Sequence, residues 1–375
     1  MNIMNKVFLD FNSTTPMDDA IIAKIHEITK IPLNSSAIHS LGRYANSLID
    51  ESKSQITQLL NAHNYEIIFT SSATEATNTV FFGNNFDDII ISSIEHASVY
   101  NCRPQSSKIS EIKCKQNGVI NIEDLIQKIP DHKNFLVSTM LCNNETGVIQ
   151  PVEEIAQITH QNLGLFHCDA VQALGKIPVD LEKINPDFVS VSAHKICGPQ
   201  GIGALLYRKG LDFRPLIFGG KQQKSKRAGS LNITGIVGFG HACSLANEKL
   251  KNFSKIAELR DYLEEQLQII AQSNIIFFGK ETMRLANTCF YSIRNLNNQT
   301  QLINFDLNNI CVSAGASCSS GTISQSRILQ SMGIENDFLD GAIRVSLSPQ
   351  TTKSDIDYFI KIFSEFYNRT QINKK

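Results

Sequence analysis

Two features of this chain could do covalent chemistry: the run Ser192-Ala-His194-Lys195 and the distant Cys318. Lys195 follows an apolar run, Phe188 to Ser192, and precedes a glycine-rich turn, Gly198-Pro-Gln-Gly201-Ile-Gly203. A lysine at such a junction can hold an aldehyde cofactor as a Schiff base. Cys318 sits in the small-residue stretch Ser313 to Gly321, where a thiol can be an exposed nucleophile. Together they read as a pyridoxal-phosphate enzyme that moves sulfur.

Other candidates fall just after predicted strands, where an open parallel sheet binds its ligand. Thr70-Ser-Ser-Ala-Thr74-Glu75 could bring N–H groups and hydroxyls to a phosphate, or serve only as a helix N-cap. Glu95-His96 places a titratable ring at the same edge, for stacking or proton transfer, or as a structural histidine. Asn143-Asn144-Glu145-Thr-Gly147 could be a polar turn. Asp169, in Asp169-Ala-Val-Gln172, could pair with a pyridinium nitrogen and make the ring an electron sink. Arg344 lies inside an apolar strand, so it needs an anion, either a structural carboxylate or a substrate carboxylate. The basic run Lys221 to Arg227 reads as a solvated loop or as a contact for a phosphate or an acidic partner. His167-Cys168-Asp169 lacks a second ligand pair at zinc spacing, and metal is not expected there.

The elements that must position these residues follow from periodicity. Apolar runs at Glu66–Thr70, Asp88–Ser92, Phe135–Met140, Leu165–Asp169, Phe188–Ser192 and Ala204–Tyr207 alternate with helical stretches. This is the pattern of an α/β core with a mostly parallel sheet covered on both faces. Helices are predicted near 18–30, 41–60 and 249–271, the last as a linker between domains. Beyond it come strand 287–293, helix 300–308, strand 310–312, helix 325–332, strand 342–346 and a final helix whose capping box starts at Thr352-Lys-Ser-Asp355. The expected division is a large domain over 14–250 and a smaller α+β domain from 1–13 and 251–375 that carries the Cys318 loop.

Composition narrows the classes. The chain has 375 residues, enough for a large domain plus a smaller one, and its 35 basic and 36 acidic side chains give no global attraction to nucleic acid or an anionic membrane. An acidic residue, Asp10, precedes any signal-like apolar run, and no stretch offers the roughly 18 apolar residues of a membrane span, so a cytosolic protein is expected. Nine cysteines without CxxC pairs suit reduced thiols.

Taken in order, from Leu9-Asp-Phe-Asn-Ser-Thr-Thr-Pro16 through Asn34-Ser-Ser-Ala-Ile-His39-Ser-Leu-Gly42 to Arg344, these segments resemble the cysteine desulfurase family of class-V, fold-type I pyridoxal-phosphate enzymes. The resemblance implies that Lys195 carries the cofactor, His96 stacks on its ring, Asp169 meets the pyridine nitrogen and Gln172 the phenolic oxygen. It further implies that Ala73, Thr74, Ser192 and His194 cradle the phosphate, with Ser230 supplied by the other subunit of a homodimer. Asn144 and Arg344 match the positions that hold the substrate carboxylate, and Cys318 the nucleophile that becomes a persulfide. The implied reaction takes L-cysteine to alanine and passes the sulfur to an acceptor protein, such as an iron–sulfur scaffold or a tRNA-thiolation protein. Long members carry a further C-terminal tail that contacts the scaffold, whereas this chain ends soon after its last helix. Neither a membrane nor a nucleic acid is an expected direct partner. Four positions differ from the family pattern: Ser35, Ala193, Ser230, and Ser72, whose side chain is expected to restrict the backbone's approach to a phosphate. Two other readings compete: a selenocysteine lyase or another class-V lyase or transaminase, and a desulfurase-like subunit that only binds.

Overall fold

The computed structural model describes residues 6–315 and 325–372. Its strands are β1 (Val7–Phe8), β2 (Tyr65–Thr70), β3 (Asp88–Ser92), β4 (Lys108–Ile112), β5 (Phe135–Met140), β6 (Leu165–Asp169), β7 (Phe188–Ser192), β8 (Gly203–Arg208), β9 (Ile275–Phe277), β10 (Thr288–Ile293), β11 (Ile310–Cys311), β12 (Ser313–Ala314) and β13 (Ala342–Ser346). The main sheet has the order β2-β8-β7-β6-β5-β3-β4. Strands β7, β6, β5, β3 and β4 run parallel, while β8 is antiparallel to both β7 and β2. Strands β5 and β7 are buried at every position, as expected for a sheet with both faces covered.

Register lines up the chemistry along one edge. Gly203 pairs with both Thr70 and Ser192, and Asp169 pairs with both Met140 and Ser190. Gly203 is required there by close approach: a Cβ would lie 2.8 Å from Ser72 C and 2.9 Å from Ala73 N. The Ser72–Ala73 turn therefore rests directly on the β8 backbone.

The predicted linker helix over 249–271 is instead two helices, Ile233–Phe253 and Ile256–Ala271, separated at Ser254–Lys255. The first begins far upstream, in a glycine-rich stretch of low helix propensity. Packing overrides propensity at Gly240, where a Cβ would lie 2.6 Å from Ser52 Cα on the helix Ser40–Leu60. Among the elements that the sequence reading did not name are the edge strand β4, the helix Ile122–Lys128 and the short strand β9. The predicted strand over 310–312 is split: β11 pairs with β1, and β12 pairs with β13 in another sheet. The capping box forms as expected, Thr352 N donating to Asp355 Oδ2 (2.8 Å) and Asp355 N to Thr352 Oγ1 (3.2 Å).

A separate apolar cluster joins Leu9 to Leu263, Tyr291, Val345 and Phe363, from the helix Ile256–Ala271, β10, β13 and the helix Lys353–Ile372. The N-terminal segment leaves this cluster at Leu9, bridges from Asp10 to Ser346, and runs on to the strand-end edge of the main sheet.

Candidate active site

A cavity of about 340 Å³ opens at the carboxyl edge of the main sheet. Ala73, Thr74, His96, Asn144, Asp169, Gln172, Ser192, His194 and Lys195 all line it. Ser230 is exposed and outside this lining, and Cys318 lies outside the described residues.

Lys195 ends the short turn Ala193–Lys195 after β7. Its Nζ donates to the main-chain oxygens of Asn12 (2.8 Å) and Ser13 (2.7 Å). Ser72 is the N-cap of the helix Ala73–Gly83, its side chain accepting from Glu75 N. Its φ of −169° is extended backbone, open to any residue. The first turn of that helix leaves its N–H groups, including those of Ala73 and Thr74, without intrahelical partners.

Burial sets the electrostatics. His96 is lowered to about 4 by burial and then by the charges of Lys195, Arg344 and Arg327. Ser98 N donates to His96 Nδ1 (3.2 Å), so the proton of this neutral imidazole sits on Nε2. His194 is likewise lowered to about 4, by burial and Lys195, and its Nδ1 is 3.1 Å from Thr14 Oγ1. Burial pushes Asp169 up to about 6, against the hydrogen bond from Val171 N and the nearby Lys195 charge.

Asn144 belongs to a turn organised by Asn143, whose Oδ1 accepts from the N–H groups of Glu145 and Thr146, each at 2.9 Å. Arg344 reaches this turn from β13: Nη1 donates to Asn144 O (2.9 Å) and Nη2 to Asp10 Oδ1 (2.7 Å). Asp10 thus supplies Arg344 with a structural carboxylate. Two buried polar atoms here have no hydrogen-bond partner among the described residues, Asn144 Oδ1 and Arg344 Nε. Buried polar atoms are ordinarily paired, so this pair marks where a ligand would complete the site.

The basic run pairs largely within the chain. Arg227 grips Glu75 through Nε (2.9 Å) and Nη2 (3.3 Å), Lys224 meets Glu66 (2.9 Å), and Lys226 meets Asp212. His167, from the apparent metal triplet, is held by Ser138 Oγ and Ser190 Oγ, each at 2.8 Å.

Sequence reasoning missed Asn12 and Lys176 as site residues. Asn12 accepts from Lys195, and Lys176 Nζ reaches Gln172 Oε1 (2.6 Å) and Asn12 Oδ1 (2.7 Å). Lys176 lies four residues after Gln172 in a non-helical turn with Gly175 at φ +68°, so no helical periodicity marked it. Nothing local could have placed Asn12 beside a residue 183 positions away.

A lysine amine, a buried aspartate and a helix N-terminus gathered at the strand ends of a mostly parallel sheet define a fold-type I pyridoxal-phosphate enzyme. The aminotransferase class-V family matches residues 7–359. Cysteine desulfurase 2 of Trichormus variabilis is 35% identical, over 98% of this chain and 94% of its own. Cysteine desulfurase IscS of Dictyoglomus turgidum is 33% identical over 99% of both chains. The X-ray structure of a NifS-like protein from Rickettsia africae matches with a TM-score of 0.91 and 36% identity, covering 97% of this chain and 100% of that one. This chain belongs to the cysteine desulfurases of the class-V aminotransferase family.

Proposed function

We propose that the protein takes L-cysteine to L-alanine, with pyridoxal phosphate held by Lys195 and the sulfur leaving as a persulfide on Cys318. The observation that carries this reading is the convergence of the Lys195 amine with Asp169, His96 and the start of the helix Ala73–Gly83 in one cavity. The donor set fits the cofactor: an amine for its aldehyde, a buried carboxyl group for its ring nitrogen, and N–H and hydroxyl groups for its phosphate. When bound, pyridoxal phosphate supplies an electron-poor ring that accepts the electron pair released as the substrate's Cα proton departs.

The chain's own residues do the rest. Neutral His96 offers a flat, uncharged ring. Ala73, Thr74, Ser192 and His194 hold the phosphate, joined by Ser230 of a second copy in a homodimer. Asn144 and Arg344 hold the substrate carboxylate, which the unpaired donor Arg344 Nε supports. Lys195 moves the proton at Cα. Cys318, as thiolate, bonds to the substrate sulfur while the carbon–sulfur bond breaks, and the carbon then takes up a proton to become alanine. The chain leading to Cys318 starts from β12, where Ser313 pairs with Arg344. An acceptor protein then receives the sulfur, for iron–sulfur cluster assembly or tRNA thiolation.

Two coarser readings belong with this one. The boundary between a large domain (14–250) and a small one (1–13 with 251–375) is supported by the separate cluster around Leu9 and Leu263. A cytosolic location is consistent with the described residues, in which no helix is long and apolar enough to cross a membrane.

The test is the absorbance of the purified protein before and after L-cysteine, with alanine and sulfide measured under reductant. A band near ~400 nm, as a lysine-bound aldehyde cofactor gives, should shift on cysteine addition with matched alanine and sulfide. Cys318→Ser should keep the band and lose sulfide release. A band without sulfide from the unaltered protein would redirect the search to other amino acids, and no band even after added cofactor would leave a binding subunit.

A further inference from the structure

Lys176 is buried, yet no carboxylate is among its hydrogen-bond partners. Its Nζ donates to two amide oxygens, Asn12 Oδ1 at 2.7 Å and Gln172 Oε1 at 2.6 Å. The titratable and charged groups acting on it are Lys195 and Arg344, which disfavour its charge, and the thiols Cys142 and Cys197. Burial, followed by Lys195, holds its pKa well below the usual lysine range. The two amide oxygens engage two of its N–H donors.

The orientation of these amides is fixed by main-chain carbonyls, which can only accept. Asn287 Nδ2 donates to Leu347 O (3.1 Å) and therefore also to Asn12 Oδ1 (3.1 Å), which makes that atom the oxygen. Gln172 Nε2 donates to Asn12 O (2.9 Å), which turns Oε1 toward Lys176. Asn12 O is also the atom that accepts from Lys195 Nζ at 2.8 Å. The Gln172 nitrogen and the Lys195 amine thus share one carbonyl oxygen. In pyridoxal phosphate the ring oxygen lies beside the aldehyde carbon, so with the aldehyde held by Lys195, Gln172, which shares the Asn12 carbonyl with Lys195, would be the residue to meet that oxygen.

We propose that Lys176 is a positioning residue: by occupying Gln172 Oε1 it keeps the amide nitrogen as the cofactor-facing end, so the protein offers a donor to the ring oxygen. This rests on the cofactor reading above. A donor at that oxygen stabilises its anion and lowers the pH at which the lysine-bound cofactor loses its proton. Without Lys176 the amide keeps its bond to Asn12 O but loses the partner that holds its oxygen end, so its nitrogen is less firmly aimed at the ring oxygen.

The experiment is a pH titration of the visible band of the cofactor-loaded protein, without substrate, in wild type, K176M, K176Q, Q172L and the double variant K176M/Q172L. Lys176→Met should raise the midpoint by about one pH unit, the size of a hydrogen bond to a charged group. Gln172→Leu should raise it similarly, and the double variant should add nothing further, because both changes remove the same donor. Lys176→Gln keeps an N–H for Gln172 Oε1 and should restore the midpoint toward wild type. Urea unfolding establishes that each variant is folded, with K176L replacing K176M if the latter is not. An unchanged midpoint in the apolar variant, or additive shifts in the double variant, would overturn the assignment while leaving the cofactor reading intact. Absence of the band in wild type would instead sink both.

Discussion

At the scale of single residues, burial rather than pairing governs the ionisable groups around the cavity, and Glu95 has the simplest consequence. Its Oε1 accepts from Met140 N (2.8 Å) and Ser92 Oγ, while Oε2 is buried without a partner among the described residues. Burial pushes it from 4.5 up to about 8, with Asp169 adding to the rise while Ser92, Met140 N and Arg327 oppose it. The folded protein therefore holds a proton that the unfolded chain gives up near 4.5, so this group's contribution is full at low pH and shrinks as pH rises toward 8. Glu95→Gln should flatten that slope and exceed wild type at pH 8 by on the order of 3 kcal/mol. Urea unfolding at pH 5, 6.5 and 8 measures it; a variant with the wild-type slope would show that Glu95 is ionised in the fold. The residue types at the site are legible in the amino-acid sequence. Lys195, Asp169 and His96 stand out because each falls at or just beyond the end of an apolar strand, whereas Asn12 and Lys176 are invisible there because their roles are contacts across the fold.

At the scale of elements, the Ser72–Ala73 turn is held by the strand beneath it as well as by its own cap. Gly203 at the start of β8 sits so close that a methyl group would meet Ser72 C, Ala73 N and Val191 O at 2.8–2.9 Å. All three are backbone atoms and cannot rotate away. Gly203→Ala should displace the turn, weaken pyridoxal-phosphate binding by about tenfold and destabilise the fold by about 1–3 kcal/mol. Titrating the visible band with cofactor reads the first effect, and an unchanged affinity would mean that this turn does not hold the phosphate. The strands were legible because burial on both faces writes an apolar run into the sequence. The helix Ile233–Phe253 was not, because Gly238 and Gly240 answer to packed neighbours, Pro199 and Ile25 for the first and Ser52 for the second, rather than to helix propensity.

At the scale of the whole molecule, the second apolar cluster holds one wall of the site. Glu264, on the helix Ile256–Ala271, pairs with Arg284 through both carboxylate oxygens, at 2.6 and 2.8 Å, and both side chains are almost fully buried. Arg260, on the same helix, donates to Leu285 O (3.0 Å). These contacts fix the 284–288 turn, from which Asn287 and Thr288 hold Asn12 and Leu285 N donates to Gly147 O. Glu264→Gln leaves a buried arginine without its anion and should cost about 3–5 kcal/mol in urea unfolding. A loss below about 1 kcal/mol would mean that the pair is solvated and that the turn is held by other contacts.

By itself the sequence determined which chemistry the chain can attempt and which elements carry it. Strand-end positions and residue types are local properties, set by side-chain periodicity and turn chemistry over a few residues. Only the tertiary structure decided which groups share a cavity, that Arg344 reaches Asp10 and Asn144 together, and that Asn12 links Lys195 to Lys176. Those contacts join residues up to 334 positions apart. Their partners are selected by register and burial, which no local stretch of sequence encodes.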